Sequence, residues 1–353
     1  MKKKEAIIIG WINSGKLADC GETMKNQLLI QKLESFGVRC HQVDFKNWRK
    51  HPWVFLQLAL LMLFHRRYVL VFSTSTVNVY SMMKLMKKLR WKQPSIHWVI
   101  GGNLGNQVNN GMYAANVIDY IDLTIVESPI MKEQLAQSGV KKVKVLPNFK
   151  PIPYYPNIDN RLATLNNRPL KFVFLSRIMC EKGCDYILES AKILNDEGLE
   201  NKYSIDFYGK VADSFEKVFT QKVSKLPNVQ YSGFLNLRDN AGYDKLAEYD
   251  VMLFPTYWNG EGFAGIFIDA FICGLPLIAT DWAHNRQFMQ DGETAMFIPV
   301  HDVVALKECM KKCIEQKYNL AEMARNCQKN AALYDIDNVL TSQTMKEMGL
   351  WQE

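Results

Sequence analysis

The stretch from Tyr249 to Trp282, YDVMLFPTYWNGEGFAGIFIDAFICGLPLIATDW, constrains the fold more than any other part of the chain. Val251 to Phe254 is a continuous apolar run preceded by Asp250 and closed by Pro255, which reads as a buried strand. A polar loop, Trp258 to Gly262, follows. Apolar residues then fall at Phe263, Ile266, Phe267, Ala270 and Phe271, the spacing of one helix face. Gly274-Leu275-Pro276 ends that helix, because glycine suits the left-handed position after a helix and proline cannot continue one. Leu277 to Ala279 reads as the next strand. Strand, loop, helix and strand in this order build a parallel sheet, and open α/β sheets bind ligands at the carboxyl ends of their strands.

Two acids stand in this unit, Glu261 in the loop and Asp269 inside the helix. The helical pattern places Glu261 beside the helix start and Asp269 two turns along. It also puts the amides of Gly262, Phe263 and Ala264 among the unpaired donors of the first turn, where the helix dipole favours an anion. Taken alone, these residues fit both a ligand site and a capping acid on a solvated helix face.

The run E-G-F-A-G-I-F-I-D-A-F-I-C-G-L-P-L-I-A-T-D resembles the donor-site signature of retaining glycosyltransferases of family 4. That signature is a Glu, seven residues, a second Glu, then a Gly-Leu/Val-Pro strand. Here the second acid is Asp269, one methylene shorter. The resemblance implies α/β architecture of the GT-B type, two Rossmann-like doubly wound domains facing across a cleft. It implies Glu261 on the sugar hydroxyls, Asp269 on the ribose, and the backbone from Gly262 through Phe263 and Ala264 to Gly265 orienting the donor.

A second motif lies upstream. The apolar strand Leu170 to Leu175 is followed by Ser176-Arg177-Ile178-Met179-Cys180-Glu181-Lys182-Gly183. This is similar to the family's G-R-x-x-x-x-K-G turn, with Ser176 in place of the first glycine and Gly183 at its end. The resemblance gives Arg177 and Lys182 to the donor diphosphate. The chemistry agrees: a departing nucleoside diphosphate gains negative charge, and two fixed cations stabilise it without a metal.

The first half offers fewer motifs. Gly10, Gly15, Lys16 and Leu17 come within one residue of a P-loop, but Leu17 stands where Ser or Thr would hold Mg²⁺. Gly21 opens a helix, and Gly21 and Lys25 are acceptor-side candidates, with a capped helix and a solvated lysine as the alternative. Ser95 to Ile100 reads as a strand ending in Gly101-Gly102-Asn103. Family members often carry a histidine at that strand end. Here His97 lies inside the strand and reads as a core residue, leaving Gly102 and Asn103 as the acceptor-side candidates.

Charge divides the chain. Residues 1–150 hold 22 Lys and Arg against 9 Asp and Glu, whereas the remainder holds 21 against 27. A basic half calls for an anionic partner. Pro52 to Phe64 is apolar nearly all round, and Met82 to Lys92 reads as a basic helix with Met82, Leu85, Met86 and Leu89 on one face. Both can rest on an anionic membrane surface or, alternatively, pack on the sheet and solvate their lysines. The 13-residue run Pro52–Phe64 falls short of a bilayer span, and MKKKEAIIIGW lacks a signal-peptide cleavage site, so a cytoplasmic location, peripheral at the inner face of the membrane, is expected. Eight cysteines without a paired framework fit a reducing compartment, and Cys180/Cys184 and Cys309/Cys313 read as buried apolar residues rather than metal ligands.

Prolines 147, 151, 153 and 156 mark a linker, expected over 149–168 and loose in its later half. The expected domains are thus 1–148 and 169–334, with a helical tail over 335–353 packing back on the first. The reading is a glycosyltransferase moving a sugar from a nucleotide-sugar donor to a saccharide or lipid-linked acceptor in surface polysaccharide synthesis. No cofactor, no metal and no nucleic-acid partner are expected. A non-catalytic nucleotide-sugar-binding subunit and a sugar-nucleotide epimerase are the alternatives on the same fold.

Overall fold

A computed structural model describes residues 4–351. Residues 1–3 of the expected first domain and 352–353 of the expected tail lie outside the described residues. The chain forms two compact units. One comprises the residues up to Pro151, Gly262–Ala264 and those from Tyr334 onward; the other comprises Ile152–Glu261 and Gly265–Leu333.

The first unit holds six strands: β1 (Glu5–Gly10), β2 (Arg39–Asp44), β3 (Val69–Thr74), β4 (Ser95–Val99), β5 (Leu123–Val126) and β6 (Val143–Val145). They pair in parallel in the order β2-β1-β3-β4-β5-β6. Alternation along β1 explains how both faces are covered. Ile7 and Ile9 enter one core with Phe72, Val79 and Met83, while Ala6 and Ile8 enter the other with Leu29 and Leu33. Residues after Tyr334 close the second of these cores: Ile336, Val339, Leu340 and Met345 pack there. Lys150 and Asp335 form a bridge at the entry to this segment. His97 is fully buried within β4, as its position inside the strand implies. Burial holds its imidazole neutral, with a pKa pushed down to about 3.

Four helices of this unit matter below: α1 (Gly21–Ser35), α2 (Trp53–Phe64), α3 (Thr76–Lys88) and α4 (Leu104–Asn109). α3 departs from the expected 82–92. It begins at Thr76 and buries Val79, Met83 and Met86, leaving Leu85 and Leu89 exposed. The stripe at i, i+4 and i+7 that packs on the sheet is therefore one residue out of phase with the predicted one, because Val79 rather than Leu89 anchors it.

The second unit holds β7 (Leu170–Leu175), β8 (Tyr203–Tyr208), β9 (Val229–Tyr231), β10 (Val251–Phe254), β11 (Leu277–Thr280) and β12 (Ala295–Ile298). Their order, β12-β11-β10-β7-β8-β9, is that of a Rossmann sheet, with chain direction across the sheet reversing between β7 and β10. Both strand-end motifs read from the sequence leave from these two central strands. The polar segment before β7 is not loose. It contains a helix, Asp159–Thr164, whose Arg161 is buried and donates to the carbonyls of Ala247 (3.0 Å), Tyr249, Cys273 (3.3 Å) and Gly274 (2.7 Å). One side chain thus satisfies backbone acceptors from two separate segments, Ala247–Tyr249 and Cys273–Gly274, which proximity in sequence cannot reveal.

Candidate functional site

The reversal between β7 and β10 brings two loops side by side at the carboxyl ends of adjacent strands. From β7 the chain passes Ser176 and Arg177 into a single 3₁₀ turn, Cys180–Lys182. Gly183 follows at φ +75°, and a Cβ there would lie 2.2 Å from the carbonyl oxygen of Pro255, the first residue after β10. Only glycine meets both demands, so the loops can close on each other. The Tyr257 amide donates to the Glu181 carbonyl at 2.9 Å and fixes this approach.

Closure buries Lys182 and Glu261 together. Lys182 Nζ lies 2.5 Å from Glu261 Oε2, each side chain 8% exposed. The Thr256 hydroxyl donates to the same oxygen at 2.9 Å. Arg177 stays exposed, its guanidinium 5.4 Å from the ring centroid of Trp258. One cation of the motif is therefore buried and paired with a carboxylate, while the other is exposed beside an aromatic face. Cys180, expected to be buried, is exposed in the same turn.

The helix after the loop is shorter than its apolar spacing suggests. It spans Ile266–Ile272, with Gly265 at its N-cap. Gly262, Phe263 and Ala264 precede it and are not its first-turn donors. The two glycines flanking Phe263 and Ala264 delay helix entry. Asp269 accordingly sits in the first turn, not two turns along; it is buried and accepts from the Tyr243 hydroxyl at 2.8 Å. Burial together with this carboxylate raises the Tyr243 phenol well above its usual range. The expected stop is found: the Gly274 amide donates to Phe271 and the Leu275 amide to Ala270, a Schellman ending with Gly274 at φ +59°.

The first unit gathers its own constellation at the ends of β4 and β5. Lys25, in α1, is not solvated. It is buried, with Nζ 2.6 Å from Glu127 Oε1. The other oxygen of Glu127 accepts the Phe263 amide at 3.0 Å, and the Asn148 side chain donates to the Phe263 carbonyl at 3.1 Å. A Cβ at Gly262 would meet Glu127 Oε2 at 2.9 Å and the Gly102 amide at 3.1 Å. Lys25 therefore meets Glu127 and Gly102 borders Gly262, whereas Asn103 occupies the N-cap position of α4 and Gly21 opens α1 in unobstructed space. Glu127, Thr256 and Tyr243 are the polar partners that the sequence reading missed. Only Glu127 carried a local signal, an acid at a strand end just before the helix cap Ser128; its cation lies 102 residues away.

Two Rossmann-like units in one chain, with a polar site at the switch point of the second, define the GT-B class of fold. The structure of Anabaena HepE in complex with UDP is similar to this chain at a TM-score of 0.73 and 16% identity, covering 98% of this chain and 100% of that one. At that identity the likeness is one of fold. Residues 159–333, about half of the chain, match the family of glycosyl transferases group 1, and this segment belongs to that family. An uncharacterized 41.2 kDa protein in the cps region of Klebsiella pneumoniae is 30% identical over 142 residues, 40% of this chain and 36% of that protein. The capsular polysaccharide biosynthesis glycosyltransferase CapM of Staphylococcus aureus is 22% identical over 199 residues, 56% of this chain and 47% of that protein. The aligned regions thus span less than half of the length of these two relatives.

Proposed function

We propose that this protein is a retaining glycosyltransferase that transfers a sugar from a nucleotide-sugar donor without a metal ion. The observation that carries the reading is the buried Lys182–Glu261 pair at the switch point, with Arg177 beside it. A bound diphosphate competes with Glu261 for Lys182 and recruits Arg177. Glu261, freed of its cation, accepts hydrogen bonds from sugar hydroxyls. Asp269, already an acceptor in the first turn of its helix, takes the ribose hydroxyls. Ser176 and Gly183 shape the turn that holds the cations, and the backbone from Gly262 to Gly265 borders the donor. Negative charge developing on the leaving phosphate is stabilised by two cations on fixed loops, worth about 3–4 kcal/mol each in comparable sites. Departure and attack occur on the same face of the sugar, so anomeric configuration is kept.

The acceptor is a saccharide or lipid-linked saccharide of a surface polysaccharide, with Lys25, Gly102, Asn103 and Gly21 on its side. The capsule-related names of two relatives support this assignment. The test is donor turnover with EDTA present. Incubation with a panel of nucleotide-sugars should release nucleoside diphosphate from one donor, and proton NMR of the first-formed sugar product should show the donor's anomeric configuration. Turnover that requires added divalent metal, or an inverted product, overturns the mechanism.

A further inference from the structure

Helix α2 presents an apolar face to solvent, and we propose that this face docks on an anionic lipid bilayer. Of its residues only Val54 and Leu58 are buried. They point into the sheet core with Val79 and Met83 of α3, so α2 and α3 cover the same side of the sheet. The opposite face is lined by Trp53 (72% exposed), Leu56 (61%), Leu60 (44%), Leu63 (54%) and Phe64 (76%). Spacings of 3, 4 and 3 from Trp53 to Leu63 keep these side chains in one stripe, on the side away from Val54 and Leu58. A helix apolar on all sides belongs in a core or against lipid, since each exposed leucine forgoes the burial that normally stabilises it. Leu85 and Leu89 of the neighbouring α3 and its flank add two more exposed apolar residues, four apart.

Charge selects the occupant. Positions 45–118 contain ten Lys and Arg and no Asp or Glu. Arg49 and Lys50 precede α2, Arg66 and Arg67 follow it, and Lys84, Lys88, Arg90 and Lys92 surround Leu85 and Leu89, all of them exposed. Among the described residues only Lys46 of the ten is held in an ion pair, with Asp19. An apolar stripe bracketed by exposed cations, several of them lying over aromatic rings and none of them in an ion pair among the described residues, matches the acyl-headgroup boundary of an anionic leaflet, where leucines enter the hydrocarbon and basic side chains meet phosphates. A second copy of this chain is the poorer fit, because a two-fold contact would oppose two like-charged surfaces. At about 18 Å in length α2 lies in the surface and does not span it. No helix among the described residues is long and apolar enough to cross a membrane.

The proposal is independent of the donor site and is tested on the full chain by vesicle co-sedimentation. Wild type should pellet with vesicles rich in phosphatidylglycerol, pellet weakly with pure phosphatidylcholine, and bind less as salt rises. The triple variant Leu56→Ser, Leu60→Ser, Leu63→Ser should retain its thermal unfolding midpoint, because these side chains are exposed, and bind at least about tenfold more weakly. Lys84→Gln with Lys88→Gln should weaken binding to anionic vesicles alone. Wild type that fails to sediment with anionic vesicles, or a triple variant that binds as wild type does, overturns the proposal. So does a concentration-dependent dimer that the triple variant abolishes, with no lipid binding, which assigns the face to a second copy.

Discussion

Lys182→Ala is expected to lower donor turnover by about 10²–10³-fold, the loss seen when one preorganised charge-stabilising group is removed from a closed site. The same change leaves Glu261 buried beside Thr256 without its cation. Stranding one member of a buried pair costs about 3–5 kcal/mol, so the second unit should also unfold earlier on heating. Stability and catalysis can be separated by a second variant. Lys182→Met combined with Glu261→Gln removes both charges, and neutral replacements of a buried pair are often close to neutral in stability. This double variant should regain most of the unfolding midpoint and none of the turnover. A double variant that recovers activity along with stability would show that the pair only holds the loops together.

Arg161→Ala is expected to destabilise the second unit by about 3–5 kcal/mol, since it strands several buried carbonyl acceptors at once. Those acceptors belong to Ala247, Tyr249, Cys273 and Gly274, which lie around the start of β10 and the end of the helix Ile266–Ile272. The guanidinium presents several donors in a fixed fork, which no lysine reproduces, so Arg161→Lys should recover only part of the loss. Urea unfolding followed by near-ultraviolet circular dichroism measures both. A shift in midpoint equivalent to less than about 1 kcal/mol would mean that water replaces the side chain at these carbonyls.

These two side chains mark what sequence reasoning reaches and what it does not. Lys182 and Glu261 were both legible, because each stands in a local motif at the end of an apolar strand, and strand ends collect ligands in open sheets. Their direct pairing was not, since it depends on Gly183 admitting the Pro255 carbonyl. Arg161 was hidden in a polar stretch that composition assigns to a loose linker. Its role comes from carbonyls 86 and more residues away. The helix after Glu261 begins later than apolar periodicity implies, for a related reason. Periodicity marks which residues face the core, and Phe263 is buried without being helical. Its amide is held by Glu127 instead of a helix turn. On α2 the apolar pattern was plain, but which face met the sheet was set by Val54 and Leu58 alone.

Calorimetry tests whether the second unit binds a nucleotide-sugar through the Lys182 turn. A panel of nucleotide-sugars would be titrated into the full chain with EDTA present, with Lys182→Ala and the Lys182→Met, Glu261→Gln double variant alongside. Wild type is expected to bind one donor saturably, with affinity weakened at least about 100-fold in both variants, a loss of roughly 2.7 kcal/mol. Equal affinity in wild type and the folded double variant, or no binding of any donor by folded wild type, would contradict binding through that turn.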